Sequence, residues 1–526
     1  MTCDESAKAF EAILSRTRQF GFYQKRLFLL TTLLQSLCWM ILMYLTFLKK
    51  NAWEEQPCLK SVTRDPTVTG NFTNSTESPF RQTTVVETRG CEEAGNRTFD
   101  GRWILPKWMT WGPDAVLYEY VWYGQNGGMI AGAFVGGFFG DLVGRKVILF
   151  LMYAGMSMAQ GMVALSEDWY NFFLFRTLVG LFAGGFVVTS MVLTVEHIGQ
   201  NWRDVCVCSC LWTLGVLVLS FESWLTQNWR YLAIATSATS LPFIGTYFIF
   251  PESFRWYGCR ERFAESEAAI KEITSANTTC VADVTLLCDR ARLAVLNSMH
   301  KRTHTFTDLF RTRKSCRYTI AAIVCWSISC AVYRCLLDRM DSLTGNVYVD
   351  ICITYTIDLP IVFSAIVINK CIGRRWCLFL YGTSSGFALM CIIVLHITNN
   401  LDKDEQMVTS ISVFGKLGVT ASMALTGLVT IETYPTAIRC MGTSVGIMSA
   451  VVGCTVGRQV LSAFSKNFHY TLPYIGYGVL MTIVGFSGLL FSETLQRPLP
   501  DLLPSRHRQI GMKEVSLSTQ AWGGAR

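Results

Sequence analysis

Among the ionisable residues that fall inside long apolar stretches of this chain are Glu222, Arg334, Asp358, Lys416 and Arg458. A charge at the centre of a bilayer span costs about 2.5–3.5 kcal/mol or more, so each is a functional candidate by default. Asp358 sits mid-stretch, directly before Leu359-Pro360. It suits attraction of an organic cation and, equally, pairing with a neighbouring basic side chain to hold helices together. Lys416, within Gly415-Lys416-Leu417-Gly418, suits either a substrate carboxylate or neutralisation of Asp358. Arg458 and Arg334 add positive candidates, with outward snorkelling as the competing role. Glu222 lies close to the end of its stretch. Trp212, Trp326 and Tyr333 also fall within apolar stretches of a chain that is 13% aromatic. Such rings hold onium groups by cation–π attraction of about 0.5–2 kcal/mol, or else serve in packing and interfacial belts. The chemistry indicated is recognition of a bulky organic ion, not catalysis. There is no Ser/His/Asp arrangement, metal-ligand cluster or phosphate-cradling loop, the six histidines are scattered, and no cofactor or metal is expected.

A membrane must position these residues. At 51% hydrophobic and 16% charged over 526 residues, the chain is too apolar for ordinary soluble cores. Twelve stretches have the roughly 20 residues that span a bilayer core as a helix: 27–48, 121–143, 146–165, 170–195, 205–225, 231–251, 317–337, 347–369, 376–397, 407–431, 441–463 and 471–492. The fold class expected is an all-α membrane protein of twelve transmembrane helices in two pseudo-symmetric six-helix bundles. Residues 1–26 form a cytoplasmic N-terminus, 27–48 the first helix, 49–120 an external loop and 121–251 helices two to six. A polar cytoplasmic loop follows at 252–316, then the second bundle at 317–492 and a tail at 493–526.

The first residues, with Asp4, Glu5 and Glu11, do not read as a cleaved signal peptide. Basic residues at Arg145 and Lys146, Arg311 to Arg317, Lys370 to Arg375, and Arg506 and Arg508 fall on one face, so both termini are expected in the cytoplasm. These anchors account for the net charge of +8 with no nucleic-acid partner. Three sequons, at Asn71, Asn74 and Asn96, crowd the external loop and are expected to be glycosylated, whereas Asn277 on the cytoplasmic side stays bare. Of 20 cysteines, Cys58 and Cys91 occupy that loop and are expected to pair in the oxidising exterior.

Loop chemistry recurs at a nearly constant offset, as in duplicated halves. Gly144-Arg145 and Gly373-Arg374 are 229 residues apart. Glu196 precedes Arg203 as Glu432 precedes Arg439, by seven residues, at an offset of 236. Glu252 with Arg255 matches Glu493 with Arg497 at an offset of 241. With Asp141, these residues form a cytoplasmic gate of ion pairs able to hold two bundles together and release them. Glycines at fourfold spacing, among them Gly132, Gly136 and Gly140, then Gly180 and Gly184, predict close helix crossings.

Gly137-x-x-x-Asp141-x-x-Gly144-Arg145-Lys146 resembles the loop signature of the major facilitator superfamily, and Arg176-x-x-x-Gly180-x-x-x-Gly184 resembles its fourth-helix motif. Pro251-Glu252-Ser253-Phe254-Arg255, Gly345-Asn346-Val347-Tyr348 and Glu432-Thr433-Tyr434-Pro435 through Arg439 resemble solute carrier family 22, the organic cation, carnitine and organic anion transporters. The resemblance implies alternating-access transport of a small organic ion across the plasma membrane. It also implies that Asp358 matches an acidic position of cation and carnitine carriers, Lys416 a lysine of the carnitine branch, and Tyr333 with Leu336 the seventh-helix pattern. The chain departs from the family at Lys370, usually Asp, at Phe254, usually Pro, and at Val451, where relatives carry Asp or Arg.

Mixed charges and aromatics favour organic cations or zwitterions such as carnitine-like compounds. Organic anions, sugars and a non-transporting receptor role are the alternatives. Against a sugar porter, Trp326-Ser327-Ile328-Ser329 lacks the Gln-rich pattern of such carriers. A uniport needs no further residues, and residue spacing identifies no site for a coupling ion. Asp358→Asn is expected to weaken cation transport and to spare surface expression.

Overall fold

The computed structural model describes residues 2–54, 115–208, 212–277, 282–296, 304–339, 347–397, 405–467 and 472–502. Asn71, Asn74, Asn96, Cys58 and Cys91 lie outside the described residues. The helices in chain order are α1 (Thr2–Arg16), α2 (Phe22–Glu54), α3 (Ala115–Leu142), α4 (Arg145–Val163), α5 (Trp169–His197), α6 (Arg203–Cys208), α7 (Trp212–Thr226), α8 (Trp229–Ser240), α9 (Phe254–Cys259), α10 (Phe263–Ala276) and α11 (Ala282–Leu296). The second half holds α12 (Arg313–Arg339), α13 (Val347–Thr356), α14 (Asp358–Ile372), α15 (Arg374–Ile397), α16 (Glu405–Thr433), α17 (Arg439–Asn467) and α18 (Leu472–Gly488).

Every expected span carries helix, but two are broken: α8 with a 3-10 extension over Leu241–Phe248, and α13 with α14. Among the described residues, eight segments are long and apolar enough to cross a membrane, and the other four helices, α3, α8, α15 and α18, pack alongside them. The pairings repeat. α2 lies on α7 as α12 lies on α17, and α4 lies on α8 as α15 lies on α18. The two bundles meet through α3 on α17 and α7 on α13, which are equivalent pairs under the repeat.

Gly128, Gly132 and Gly136 of α3 face the backbone of α5, while Gly180 and Gly184 of α5 face the backbone of α3. A Cβ on Gly132 would meet the Leu181 carbonyl, a backbone atom that cannot swing aside. The fourfold spacing therefore produces a backbone-to-backbone crossing, as the sequence predicts. Gly132→Val is expected to wedge this crossing apart and destabilise the N-terminal bundle by about 3 kcal/mol; thermal unfolding of the detergent-solubilised protein, followed by size exclusion, checks this.

The described residues of the N-terminus and of the polar segment after Pro251 form helices that pack together. Phe10, Ile13 and Leu14 line one stripe of α1 and pack against Phe254, Ile270, Ile273, Ala291 and Val295. Helices α1, α9, α10 and α11 thus form a small cluster of their own beneath the bundles. Asn277 is buried in it, accepting a hydrogen bond from the Tyr23 amide (3.0 Å) and donating to the Thr17 carbonyl (2.8 Å). Its amide is fully used in tying α10 to the start of α2.

Candidate functional site

Two glycines set the geometry of one rim of the molecule. Gly144 (φ 138°) and Gly373 (φ 96°) occupy a backbone region open mainly to glycine. Each turn delivers the start of a helix to a carboxylate. The Arg145 and Lys146 amides donate to Glu252 (3.0 Å each), and the Arg374 and Arg375 amides donate to Glu493 (3.0 and 3.2 Å). Glu252 and Glu493 therefore cap α4 and α15, where a negative charge meets the positive end of the helix dipole. Among the described residues neither forms an ion pair with Arg255 or Arg497.

The other partners are also redistributed. Glu196 accepts from Arg145 (3.3 Å) in its own bundle and from Arg439 (2.8 Å) in the other, all three side chains fully buried. Asp141 pairs with Arg145 (3.1 Å) and accepts from the Cys440 and Met441 amides (3.2 and 2.9 Å), thereby capping α17 of the opposite bundle. Glu432 pairs with Arg374 (3.3 Å) and not with Arg439. Arg203 pairs with Glu11 of α1 (2.6 Å), and Arg255 with both Glu11 (2.9 Å) and Asp501 (3.3 Å). Arg497 contributes its carbonyl, which accepts from Arg203 (3.2 Å).

The repeat survives in detail around the two arginines. Arg203 Nε donates to the Ile198 carbonyl and Arg439 Nε to the Tyr434 carbonyl, each five residues back. It fails where Lys370 replaces the equivalent of Asp141. There α6 brings its own buried acid, Asp204, and Lys370 lies over the Trp202 ring at 5.6 Å. The sequence reading missed Glu11 and Asp501; the apolar stripe flanking Glu11 is the signal that would have found the first.

At the far rim, about 33 Å along α3 from Asp141, a second ionic layer joins the bundles. Arg458 of α17 makes a two-pronged contact with Glu119 of α3 (2.9 and 2.7 Å) and a third with Asp338 (3.3 Å). Gln459 donates to the Tyr123 hydroxyl (2.9 Å) and Asn126 to Thr455 (3.1 Å). Arg458, a substrate-site candidate from sequence, is thus held by the acids of this rim.

Between the two layers lies a cavity of about 300 Å³. Trp39, Trp122, Trp212, Trp326 and Tyr333 line it, along with Val451. The Trp326 indole is fixed by a hydrogen bond to Thr430 (3.2 Å), and Trp212 packs on Trp39 at 5.4 Å between ring centres. Asp358 and Lys416 lie behind this lining. Lys416 Nζ contacts Asp358 Oδ1 (2.8 Å) and the Thr354 carbonyl (2.6 Å), with neither side chain exposed. Tyr333 connects them to the cavity, donating its hydroxyl to Asp358 Oδ2 (3.1 Å). The first half also buries Arg176, which reaches Gln160 (2.6 Å) and Gln125 and has no acid as ion-pair partner among the described residues. Of the predicted substrate residues, then, Tyr333 faces the cavity, Asp358 and Lys416 stand one layer back, and Arg458 stands at the rim.

Two six-helix bundles around a central cavity, clamped on either side by ionic layers, define a membrane carrier of the major facilitator fold. The chain belongs to the sugar (and other) transporter family, which matches residues 113–502. It is 27% identical over 397 residues to mouse solute carrier family 22 member 4, covering 74% of this chain and 70% of that one. It is 28% identical over 396 residues to human organic cation/carnitine transporter 2, covering 73% and 68%. The proton:xylose symporter XylE of E. coli superposes with a TM-score of 0.66 at 15% identity, over 91% of this chain and 98% of that one.

Proposed function

We propose that this protein is a plasma-membrane carrier, not an enzyme, that moves small organic ions by alternating access, with organic cations and zwitterions such as carnitine-like compounds as its foremost substrates. The observation that carries the reading is the aromatic cavity enclosed between two cross-bundle ionic layers. Trp and Tyr faces bind onium groups without a fixed counter-charge. The family 22 relatives support an organic ion over a sugar.

The rim holding Glu196 and Arg439 is the cytoplasmic gate and the rim holding Glu119 and Arg458 the external one. Opening either separates acids and bases that belong to opposite bundles, so the two gates have discrete closed and open arrangements. Both termini lie in the cytoplasm. Asn71, Asn74 and Asn96 carry glycans on the external loop, which Cys58 and Cys91 cross-link.

Uptake by expressing cells tests the function. Entry of labelled tetraethylammonium or carnitine above vector controls is expected. Entry of glucose alone would assign a sugar porter, and no entry across a broad panel with the protein at the surface would assign a receptor. Orientation is checked separately: replacing Asn71, Asn74 and Asn96 together by Gln is expected to remove the whole glycosidase-sensitive mass shift, leaving none for Asn277.

A further inference from the structure

Arg334 of α12 is the only charged side chain among the described residues that line the central cavity. It is 8% exposed, and its Nε has no hydrogen-bond partner. Its Nη2 contacts Asp338 Oδ1 at 3.0 Å, and its guanidinium lies 5.8 Å from the centre of the Trp122 ring. Asp338 is shared, because its second oxygen lies 3.3 Å from Arg458 Nε. Glu119 serves Arg458 as well, so the two acids balance the two arginines, and what Arg334 keeps in hand is its Nε donor.

We infer that Arg334 is the anion-recognising residue of the cavity and that it selects substrates bearing a carboxylate beside a bulky cationic or apolar portion. The inference rests on the carrier reading above and names the substrate class of that site. A guanidinium carries five donors in a planar fork that matches a carboxylate, and a buried donor without an acceptor gains a full hydrogen bond when one arrives. The lining around Arg334 is mostly apolar, so the contact is stronger than at a surface. Lys416 does not compete for the carboxylate: it is fully buried behind the lining and engaged by Asp358. The cationic or apolar end of the same ligand falls to the rings of Trp39, Trp212, Trp326 and Tyr333, which share the cavity with Arg334.

The test uses ligand pairs that differ only in the carboxylate, such as carnitine and its methyl ester, as inhibitors of labelled tetraethylammonium and labelled carnitine uptake in cells expressing the full chain. In the wild-type protein the acid is expected to inhibit about tenfold more strongly than the ester, the scale of one charge-assisted hydrogen bond. In Arg334→Gln the ratio of the two inhibition constants is expected to fall to about one, and in Arg334→Lys to recover in part. Equal inhibition by acid and ester in the wild type overturns the inference, and that arm needs no variant to fold. An unchanged ratio in Arg334→Gln overturns it as well. Absence of uptake of both labelled probes, with wild-type protein at the surface, overturns the carrier reading itself and this inference with it.

Discussion

Glu196→Gln is expected to lower uptake by about a hundredfold or more while leaving protein at the cell surface. Glu196 is the only acid among the described residues that pairs with arginines of both bundles, Arg145 on one side and Arg439 on the other, with no exposure of any of the three. Removing its charge strands the buried Arg439 while Arg145 keeps Asp141, and breaking a buried pair in this way costs about 3–5 kcal/mol. The loss falls on the conformations that close this rim, because only there do Glu196 and Arg439 meet. At about 1.4 kcal/mol per tenfold, the equilibrium shifts by a hundredfold or more toward conformations open at this rim, and the carrier no longer returns to load from the other side. Initial uptake rates, normalised to surface-biotinylated protein, measure the effect. Wild-type uptake by the Gln variant would show that this contact does not hold the gate. Asp141→Asn is expected to act in the same direction with a smaller effect, since the Cys440 and Met441 amides keep a neutral acceptor.

The second large effect concerns Asp358 and Lys416. As single replacements, Asp358→Asn and Lys416→Met are each expected to cut surface expression and thermal stability sharply. Each strands the opposite charge at a position with no exposure, again at about 3–5 kcal/mol. The pairing revises the sequence-based expectation that Asp358→Asn spares expression. The double variant Asp358→Asn with Lys416→Met removes both charges, and it is expected to restore surface protein to near the wild-type level, because a neutral pair of similar volume carries no desolvation penalty. Its uptake then separates two roles. Restored uptake makes the pair a structural element of the second bundle. Restored protein without uptake of cations places the pair in the transport cycle, acting through Tyr333, whose hydroxyl is bonded to Asp358 at the cavity wall. If the double variant is as poorly expressed as the singles, the two charges do not compensate one another and the ion pair is not what holds them.

Much of the architecture was legible before any coordinates. Apolar runs of about 20 residues located the helices, and the recurrence of Gly144-Arg145 in Gly373-Arg374 located the duplication. Most of the ionic residues of the basic rim were recognised from type and spacing. Their partners were not, because the seven-residue spacing of Glu196 with Arg203 and of Glu432 with Arg439 reveals the duplication and does not say which acid meets which base. In the folded protein Arg203 and Arg255 turn to Glu11 and Asp501, contributed by the two terminal segments. The far rim was only half visible: Arg458 was recognised as a charge within an apolar span, but Glu119 and Asp338 were not linked to it.

The division follows from the range of the forces involved. Helix formation depends on neighbours within a turn or two and on the length of an apolar run, so the sequence by itself determined the spans, the twofold plan and the set of charges placed at their ends. Which acid faces which base depends on where two bundles touch, and Glu196 and Arg439 are separated by 243 residues. Only the tertiary structure decided that Glu252 and Glu493 cap helices, that Asp358 is neutralised by Lys416, and that Arg334 is left as the charge facing the cavity. A buried charge takes whichever partner the packing brings within about 3 Å, and that distance is set by the whole fold.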